Sequence, residues 1–258
     1  MNIQATIAFA RKRRQKVYIF LSQHTLRCPQ KDRDKVLQEA FQVMDNSALK
    51  IPAYLPLTKD MPVSLTENLH QGLKLVNGAE YTVKEVVPNP EAGIYMLSTD
   101  IFIITEPPIS IFVESANTQA ISMPGITSGL IPLFPTKVYA SKENKSFVRS
   151  RPFDRQGFTL TPTFAITEFK AQGQTLPKAF LSLTSRQNIR KGSDFTATYV
   201  QLSRVVSLEG LRLLSTINKE HWMSLKLSTR MNTEIERLIK LDEKTMARYE
   251  ATQEGSRR

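Results

Sequence analysis

The sequence predicts an α/β protein in which an all-β segment interrupts the α/β part and a charged helix follows it. Two observations predict the α/β part: a continuous β-branched and aromatic run at residues 16–22, and alternating strand and helix patterns after Pro162. A third observation predicts the all-β segment, because short apolar runs without helical spacing recur between about residues 78 and 150.

The N-terminal residues predict a helix, a strand and a second helix. Residues 3–15 have apolar side chains on one side and end in a basic cluster, as a short amphipathic helix does. The run at 16–22 is typical of a strand covered on both faces, for which a parallel sheet is the natural setting. Residues 34–44 repeat apolar side chains at helical spacing, and Asp45-Asn46 closes that segment.

Prolines and a turn organise the next stretch. Residues 53–57 and 61–65 are expected to be short strands near sheet edges or bends, because each contains a proline, which cannot donate to a strand ladder. Asn77-Gly78 predicts a turn, and apolar and polar residues alternate after it from Ala79 to Lys84.

Three more apolar runs follow at residues 94–97, 109–113 and 130–133. Loops that contain proline, asparagine or glycine separate them. The pattern predicts a small antiparallel barrel or sandwich over residues 78–159.

After Pro162 the α/β pattern returns. A short helix is expected at 163–171, a buried strand at 179–183, a helix at 197–204 and a strand at 211–215, which together predict a βαβ unit. Residues 229–253 mix apolar residues at helical spacing with many charges, and predict a solvated amphipathic helix with a frayed basic end.

The charge balance indicates a polyanionic partner. The chain has 35 basic and 24 acidic side chains, a net charge of +11 and a pI near 9.8. Such a field attracts nucleic acid, although a generally basic surface would have the same composition. A single cysteine, Cys28, favours a reducing, intracellular compartment, and no apolar run approaches the length of a membrane span.

Two blocks near the C-terminal end contain the residues best suited to chemistry. The first reads Phe-Ala-Ile-Thr-Glu-Phe-Lys-Ala-Gln-Gly-Gln-Thr-Leu at 164–176, and the second reads Tyr-Val-Gln-Leu-Ser-Arg-Val-Val-Ser-Leu-Glu-Gly-Leu at 199–211. In the first, Lys170 offers a point charge near neutral side chains that can bind phosphate oxygens, and Gly173 permits a ligand to approach the backbone. A structural helix terminus would explain the same residues.

Together the blocks resemble the last two nucleotide- and DNA-coupling motifs of superfamily-1 helicases, especially those of Pif-type (petite-integration-frequency) and Helitron helicases. There the blocks read roughly A-x-T-x-H-K-S-Q-G-x-T-L and Y-V-A-L-S-R. Upstream, Met-Pro-Val at 61–63, Asn68 and Asn-Gly-Ala at 77–79 resemble a further family stretch, with Asp60 at a position where glycine is usual. The resemblance covers most of residues 50–215.

The resemblance implies a domain organisation. Residues 1–77 and 160–215 would form an incomplete second RecA-like helicase domain. Residues 78–159 would form the inserted barrel, of the Src-homology-three type, and residues 216–258 a basic helical tail.

The resemblance also implies roles for individual residues. Three positions would face single-stranded DNA: Thr167, Lys170 and Gln172. Three would border the nucleotide cleft: Gly173, Gln174 and Thr175. Arg204 would be the arginine finger that reaches the γ-phosphate, and Ser203 would hold its loop. Phe169 and Ala171 depart from the family pattern, which removes at least one polar DNA contact. Gln201 stands where alanine is usual and is a bulkier choice for helix packing.

The chain lacks another part of the motor. None of its ten glycines is followed by lysine, so no G-x-x-x-x-G-K-[ST] loop can cradle a triphosphate. Asp242-Glu243 imitates a magnesium-holding acidic pair, but it follows the arginine block and fits a charged helix better. His24 and Cys28 are too few ligands for zinc. No metal site is therefore expected, and this chain alone would not fully bind ATP and Mg²⁺, the cofactors of the intact family.

We therefore expect a C-terminal fragment of an ATP-dependent, five-prime to three-prime DNA helicase that hydrolyses no ATP by itself. Its expected partners are single-stranded DNA and an N-terminal helicase half, with no membrane. Two alternatives stay open: a non-catalytic single-stranded nucleic-acid-binding module derived from a transposon, and a pseudogene-derived chain without a stable fold. The resemblance implies roles in DNA repair, recombination and telomere maintenance. The nucleus is favoured over the mitochondrion, with residues 11–14 as a nuclear address or as a solvated helix face.

Overall fold

The computed structural model describes residues 1–43, 50–139, 147–148, 151–183, 193–214, 216 and 219–255. The chain divides into an N-terminal unit, Met1–Ala165, and a C-terminal unit, Ile166–Arg258. The described residues include six α-helices, α1 to α6: Asn2–Lys12, Arg33–Gln42, Glu168–Ala171, Ser193–Leu202, Lys219–Ser224 and Thr229–Gly255. They include fifteen strands, β1 to β15: Val17–Leu21, Gln23–Leu26, Tyr54–Leu57, Pro62–Leu65, Glu80–Val87, Ile94–Ser98, Ile101–Ile104, Ser110–Glu114, Ile131–Leu133, Thr136–Val138, Phe147–Val148, Arg151–Gly157, Leu160–Pro162, Ala179–Leu181 and Leu211–Leu213.

A five-stranded antiparallel sheet forms much of the core of the N-terminal unit, in the order β13-β4-β5-β8-β9. The alternation predicted from Ala79 onward is confirmed in β5, where Tyr81 and Val83 are buried and Thr82 between them is not. Asp60, before β4, has φ +60°, a left-handed conformation that glycine adopts without strain. Glycine, which is usual at this position in the helicases that the sequence resembles, would adopt this conformation without strain.

A second sheet has the order β3-β1-β7-β6. The parallel setting expected for residues 16–22 is confirmed on one side only, since β1 pairs in parallel with β7 but antiparallel with β3. One face packs on α1, where Ala10 meets Val17 and Ile19. The other face is covered only in part, because Phe20 is buried whereas Tyr18 is 37% exposed. The prediction of a strand covered on both faces is therefore wrong at Tyr18.

The small barrel expected at residues 78–159 is not observed as a closed barrel among the described strands. Instead, β6 and β7 join β1 in one open sheet, and β5 and β8 join β4 in another. Strands of the expected insertion therefore share sheets with strands that precede it. Of the two strands predicted near sheet edges or bends, β3 lies at an edge and β4 is an inner strand. An alternating pattern specifies which face of a strand is buried, but it does not specify the neighbouring strand.

A third sheet surrounds β12, which pairs with β2, β10 and β11. At its centre Arg155 is fully buried. Arg155 Nε donates to His24 Nε2 at 2.9 Å, Nη1 donates to the carbonyl of Ile51 at 2.9 Å, and Nη2 donates to the carbonyl of Ala40 at 2.6 Å. The His24 ring lies edge-on against Phe41, with 4.5 Å between the ring centroids. A buried guanidinium thus ties β12 to β2, α2 and the loop before β3.

Protonation of His24 is expected to destabilise the N-terminal unit in mild acid. Burial, and then the charge of Arg155, lower the pKa of His24 from 6.5 to about 4. Between about pH 6.5 and 4, His24 therefore binds a proton in the unfolded chain but stays neutral in the folded chain. The free energy of unfolding falls as the pH drops through this range. The full shift corresponds to about 3 kcal/mol, and we expect about 1 to 2 kcal/mol because the ring is only partly buried.

Urea unfolding at several pH values between 7 and 4.5, followed by circular dichroism, measures this effect. In His24→Gln a side-chain oxygen can still accept from Arg155 but does not titrate in this range. The difference in stability between the native chain and this variant should change with pH over the stated window. A difference independent of pH would contradict the prediction.

In the C-terminal unit the predicted βαβ pattern is confirmed, because β14 and β15 pair in parallel and α4 lies between them in the chain. The prediction that its first strand is buried is wrong at Phe180, which is 72% exposed in β14. The predicted tail helix is confirmed as α6. Its apolar side chains are between 40% and 60% exposed: Met231, Ile235, Leu238, Ile239, Leu241, Met246 and Tyr249. In the described part of the chain, none of the helices combines the length and the apolar character needed to cross a membrane.

Candidate nucleotide and nucleic-acid site in the C-terminal unit

The first block forms a single helical turn and a tight reversal. α3 begins after Thr167, whose carbonyl accepts from the backbone N–H groups of Lys170 and Ala171, each at 3.0 Å. It starts later than residue 163, the predicted start, because β13 extends to Pro162 and the N–H of Thr163 donates to the carbonyl of Pro62.

Gly173 reverses the chain after α3. Its φ is +81°, which favours glycine. A β-carbon built there would have no neighbour within 4 Å, so the space beside this backbone is open. The N–H of Gln174 donates to the carbonyl of Ala171 at 3.0 Å and closes the turn. A ligand could therefore approach the Gly173 backbone without displacing protein atoms.

The second block places Arg204 just beyond the end of α4. Its Nε donates to the carbonyl of Val200 at 3.1 Å and lies 3.3 Å from Ser203 Oγ, to which Nη2 donates at 2.8 Å. Ser203 Oγ in turn donates to the carbonyl of Val200 at 3.1 Å. Helix C-termini attract cations because their last carbonyls lack backbone partners. The guanidinium is therefore oriented by the end of its own helix.

Arg204 also joins the two blocks. Its Nη1 donates to the backbone carbonyl of Gln174 at 3.2 Å. The N–H of Leu176 donates to the carbonyl of Arg204 at 2.7 Å, and Leu176 and Val205 form a parallel bridge. Residues 174–176 thus run alongside residues 204–206, and the reversal at Gly173 adjoins the arginine.

The arginine retains donors for a ligand. A guanidinium group has five N–H donors, and the contacts with described residues engage Nε and one N–H on each terminal nitrogen. One N–H on each terminal nitrogen remains, and two such groups are what a bidentate contact with phosphate oxygens requires. Arg204 is half-buried, so a ligand that reached it would displace little solvent.

The structure brings some of the sequence-predicted site residues together more directly than others. Gln174 and Arg204 share a hydrogen bond. Gly173 and Thr175 flank Gln174 in the same loop, and both are exposed. Thr167 and Lys170 are half-buried on or beside α3, which packs against α4, and Gln172 is exposed at the end of α3. The structure contains no bound DNA, so their contact with it stays a prediction.

Sequence reasoning missed what holds the arginine. The carbonyl groups of Val200 and Gln174 anchor it, and every residue type has a carbonyl group, so no sequence signal marks them. Ser203 was expected to hold the loop, and its hydroxyl does contact the guanidinium. No described group of histidine, cysteine, aspartate or glutamate side chains has the arrangement of a metal site.

Gly210, in the second block, permits a close backbone approach, and its replacement is expected to loosen this unit. A methyl group there would collide with the backbone carbonyl oxygen of Pro177 and lie 3.1 Å from Val205 Cγ1. Because a backbone atom cannot rotate away, we expect Gly210→Ala to lower the free energy of unfolding by about 2 kcal/mol.

The fluorescence of Trp222, the one tryptophan of the chain, reports on this unit during urea unfolding. Gly173→Ala is the matched comparison, since it meets open space and strains only φ, which should cost about 1 kcal/mol. Equal losses in the two variants would show that the contact with Pro177 is unimportant.

Comparison with solved structures reveals the same fold in Pif1 helicases. The Pif1 helicase of Candida albicans has 20% sequence identity and a TM-score of 0.52, over 91% of this chain and 47% of that one. Pif1 of Bacteroides bound to single-stranded DNA has 17% identity and a TM-score of 0.52, over 93% of this chain and 44% of that one. A Pif1 helicase whose structure addresses unwinding at forked double-stranded DNA has 16% identity and a TM-score of 0.51, over 93% of this chain and 43% of that one. No protein-family model and no curated protein matches the sequence.

The chain is a mixed α/β protein whose fold resembles part of a helicase. More particularly, it shares the fold of one portion of the Pif1 helicases and spans less than half the length of the three compared. At these identities the likeness shows a common fold.

Proposed function

We propose that the chain is the C-terminal part of the motor of a Pif-type DNA helicase. In this proposal β14, α4 and β15 belong to the second RecA-like domain, and Arg204 completes a nucleotide site whose phosphate-binding loop comes from an N-terminal helicase half. The chain alone then hydrolyses no ATP, because it has no loop to hold the triphosphate and Mg²⁺.

One observation supports the proposal above all others: the hydrogen bond from Arg204 to the carbonyl of Gln174. It links the arginine of the second block to the loop that the resemblance assigns to the nucleotide cleft. Contacts within the protein hold the guanidinium, so less conformational freedom is lost when it meets a phosphate. The two remaining N–H groups suit the charge that develops on the γ-phosphate during transfer.

The same loop can couple the nucleotide to DNA. Thr167, Lys170 and Gln172 lie within a few residues of Gly173, on or beside α3. A cation and neutral hydrogen-bonding groups are what contact with a DNA backbone requires. A shift of the Gly173 loop upon nucleotide binding would therefore move the residues proposed to contact DNA.

Reassembly of the motor tests the proposal. The full chain is mixed with an N-terminal half of a Pif-type helicase that contains the phosphate-binding loop, and ATP hydrolysis is measured with and without single-stranded DNA. We expect DNA-stimulated hydrolysis in the mixture and none from this chain alone. An N-terminal half with its loop lysine replaced is the control for hydrolysis by a contaminant.

A second candidate function is a non-catalytic module, derived from a transposon, that binds single-stranded nucleic acid. The net charge of +11 and the missing phosphate-binding loop favour it. Binding of labelled oligonucleotide without any restored hydrolysis would support this candidate against the motor.

A further inference from the structure

Two exposed side chains and a half-buried phenylalanine form a cross-strand row on one face of the β3-β1-β7-β6 sheet. Tyr18 lies opposite Phe102 in the parallel β1–β7 pair, and Phe102 lies opposite Met96 in the β7–β6 pair. The rings of Tyr18 and Phe102 are stacked, with centroids 5.6 Å apart and planes 26° apart. Tyr18 is 37% and Met96 69% exposed. Because α1 covers the opposite face, and Phe20 and Ile104 further along this face are buried in the core, the row is a partly exposed, partly aromatic surface at one end of a rigid sheet.

Basic side chains lie at this row or close to it in the sequence. Lys16 Nζ lies 5.2 Å from the centroid of the Phe102 ring, within cation–π range. Lys12, Arg14 and Lys16 are exposed, and in the described part of the chain none of them forms an ion pair. Arg11 differs from them, since it is paired with Asp100 at 2.7 Å. Three exposed cations that form no ion pair with the described residues therefore lie close in sequence to the row, and Lys16 lies at its rings.

This combination selects one class of ligand. Stacked rings on a sheet face accept nucleic-acid bases, and neighbouring cations accept the phosphates between them. An acidic peptide would use the cations but would gain little from flat rings. Duplex DNA would expose phosphates but keep its bases stacked inside.

We propose that this face binds single-stranded nucleic acid, with a base stacked on Tyr18 and phosphates near Lys16 and Arg14. The site lies wholly in the N-terminal unit, whereas the proposed motor site lies in the C-terminal unit. The two proposals therefore rest on different residues, and this one does not require that the chain be a helicase part.

Binding of a labelled oligothymidine to the full chain, followed by fluorescence anisotropy, tests the site. Tyr18→Leu retains apolar area but loses the ring, so we expect about tenfold weaker binding, since base stacking contributes about 1 to 3 kcal/mol. Tyr18→Phe retains the ring and should bind within about twofold of the native chain. Tyr95→Leu is the matched control, because Tyr95 is 63% exposed in β6 of the same sheet but points to the opposite face.

The charges give a second readout. Lys16→Gln should reduce the slope of log affinity against log salt by about 0.7, the value for one phosphate contact on a single strand. An oligonucleotide containing iodouracil should crosslink to the tryptic peptide of residues 17–27, which contains Tyr18.

Equal affinities for Tyr18→Leu and the native chain, or equal losses in Tyr18→Leu and Tyr95→Leu, would overturn the site. A loss in Tyr18→Phe as large as in Tyr18→Leu would also overturn it, because the hydroxyl group and not stacking would then be responsible. Lys170→Gln separates this proposal from the motor proposal. If Lys170→Gln weakens binding and Tyr18→Leu does not, only the C-terminal contacts are supported. If Tyr18→Leu weakens binding and Lys170→Gln does not, only this face is supported.

Discussion

Replacing Arg204 with alanine is expected to lower DNA-stimulated ATP hydrolysis by about a thousandfold or more in a motor reassembled from this chain and an N-terminal helicase half. An arginine finger contributes on the order of 10³ to 10⁵ to the rate of phosphoryl transfer. The loss should appear in kcat, because the guanidinium acts on charge that develops in the transition state. Reassembled hydrolysis that stays within tenfold of the native rate would exclude Arg204 from that role.

Two further variants separate chemistry from structure. Arg204→Lys retains the charge but cannot form a bidentate contact, so its kcat should also fall strongly. Ser203→Ala removes the hydroxyl group that contacts the guanidinium at 2.8 Å but leaves the proposed finger in place, so its loss should be far smaller. Because Arg204 also supports the loop at Gln174, the unfolding of each variant is followed by Trp222 fluorescence, and rates are compared at temperatures where both proteins are folded.

Replacing Arg155 with alanine is expected to cost about 3 to 5 kcal/mol of stability in the N-terminal unit. The side chain is fully buried and donates to His24 Nε2 and to the carbonyls of Ile51 and Ala40. Its removal leaves buried acceptors without donors and a cavity between three segments. Since whole domains are stable by only about 5 to 15 kcal/mol, much of this unit should lose its fold at moderate temperature.

Circular dichroism during thermal unfolding measures the loss, and Trp222 fluorescence reports separately on the C-terminal unit. Arg27→Ala is the matched control, because Arg27 also reaches β12, through Asp154 at 3.3 Å, but its side chain is 56% exposed. Asp154 is buried but Arg27 lies half in solvent, so we expect the loss of this pair to cost about 1 to 2 kcal/mol, less than the loss of Arg155. Similar melting temperatures for the two variants would contradict the importance assigned to the buried guanidinium.

Local patterns predicted many elements of the fold, and long-range pairing accounts for most of the rest. β1, β5, α2, α4 and α6 all lie close to their predicted positions, since each has a clear periodicity or apolar run. β2 was not predicted because its residues are largely polar, and it is a strand through its pairing with β12. β7 has an apolar run, but its role became evident only from its parallel partner β1, far away in the sequence.

The candidate site shows the same division between local and long-range information. The resemblance identified Arg204 and assigned the 173–175 loop to the cleft, and the structure brings Arg204 into contact with Gln174. The sequence alone does not show that backbone carbonyls hold the guanidinium of Arg204. Nor does it show that Tyr18 and Phe102 stack across two strands. Both depend on which segments become neighbours after folding.

The parallel pairing of β1 with β7 has a consequence for biosynthesis. Val17 pairs opposite Ile101, and Gln23 of the following strand pairs opposite Gln156. At roughly 5 to 20 residues per second, a ribosome needs on the order of several seconds after making β1 to release its partner. β3 can pair with one edge of β1 sooner, but the other edge of this aromatic, β-branched segment stays unpaired until translation supplies β7, and holdase chaperones would have to shield it until then.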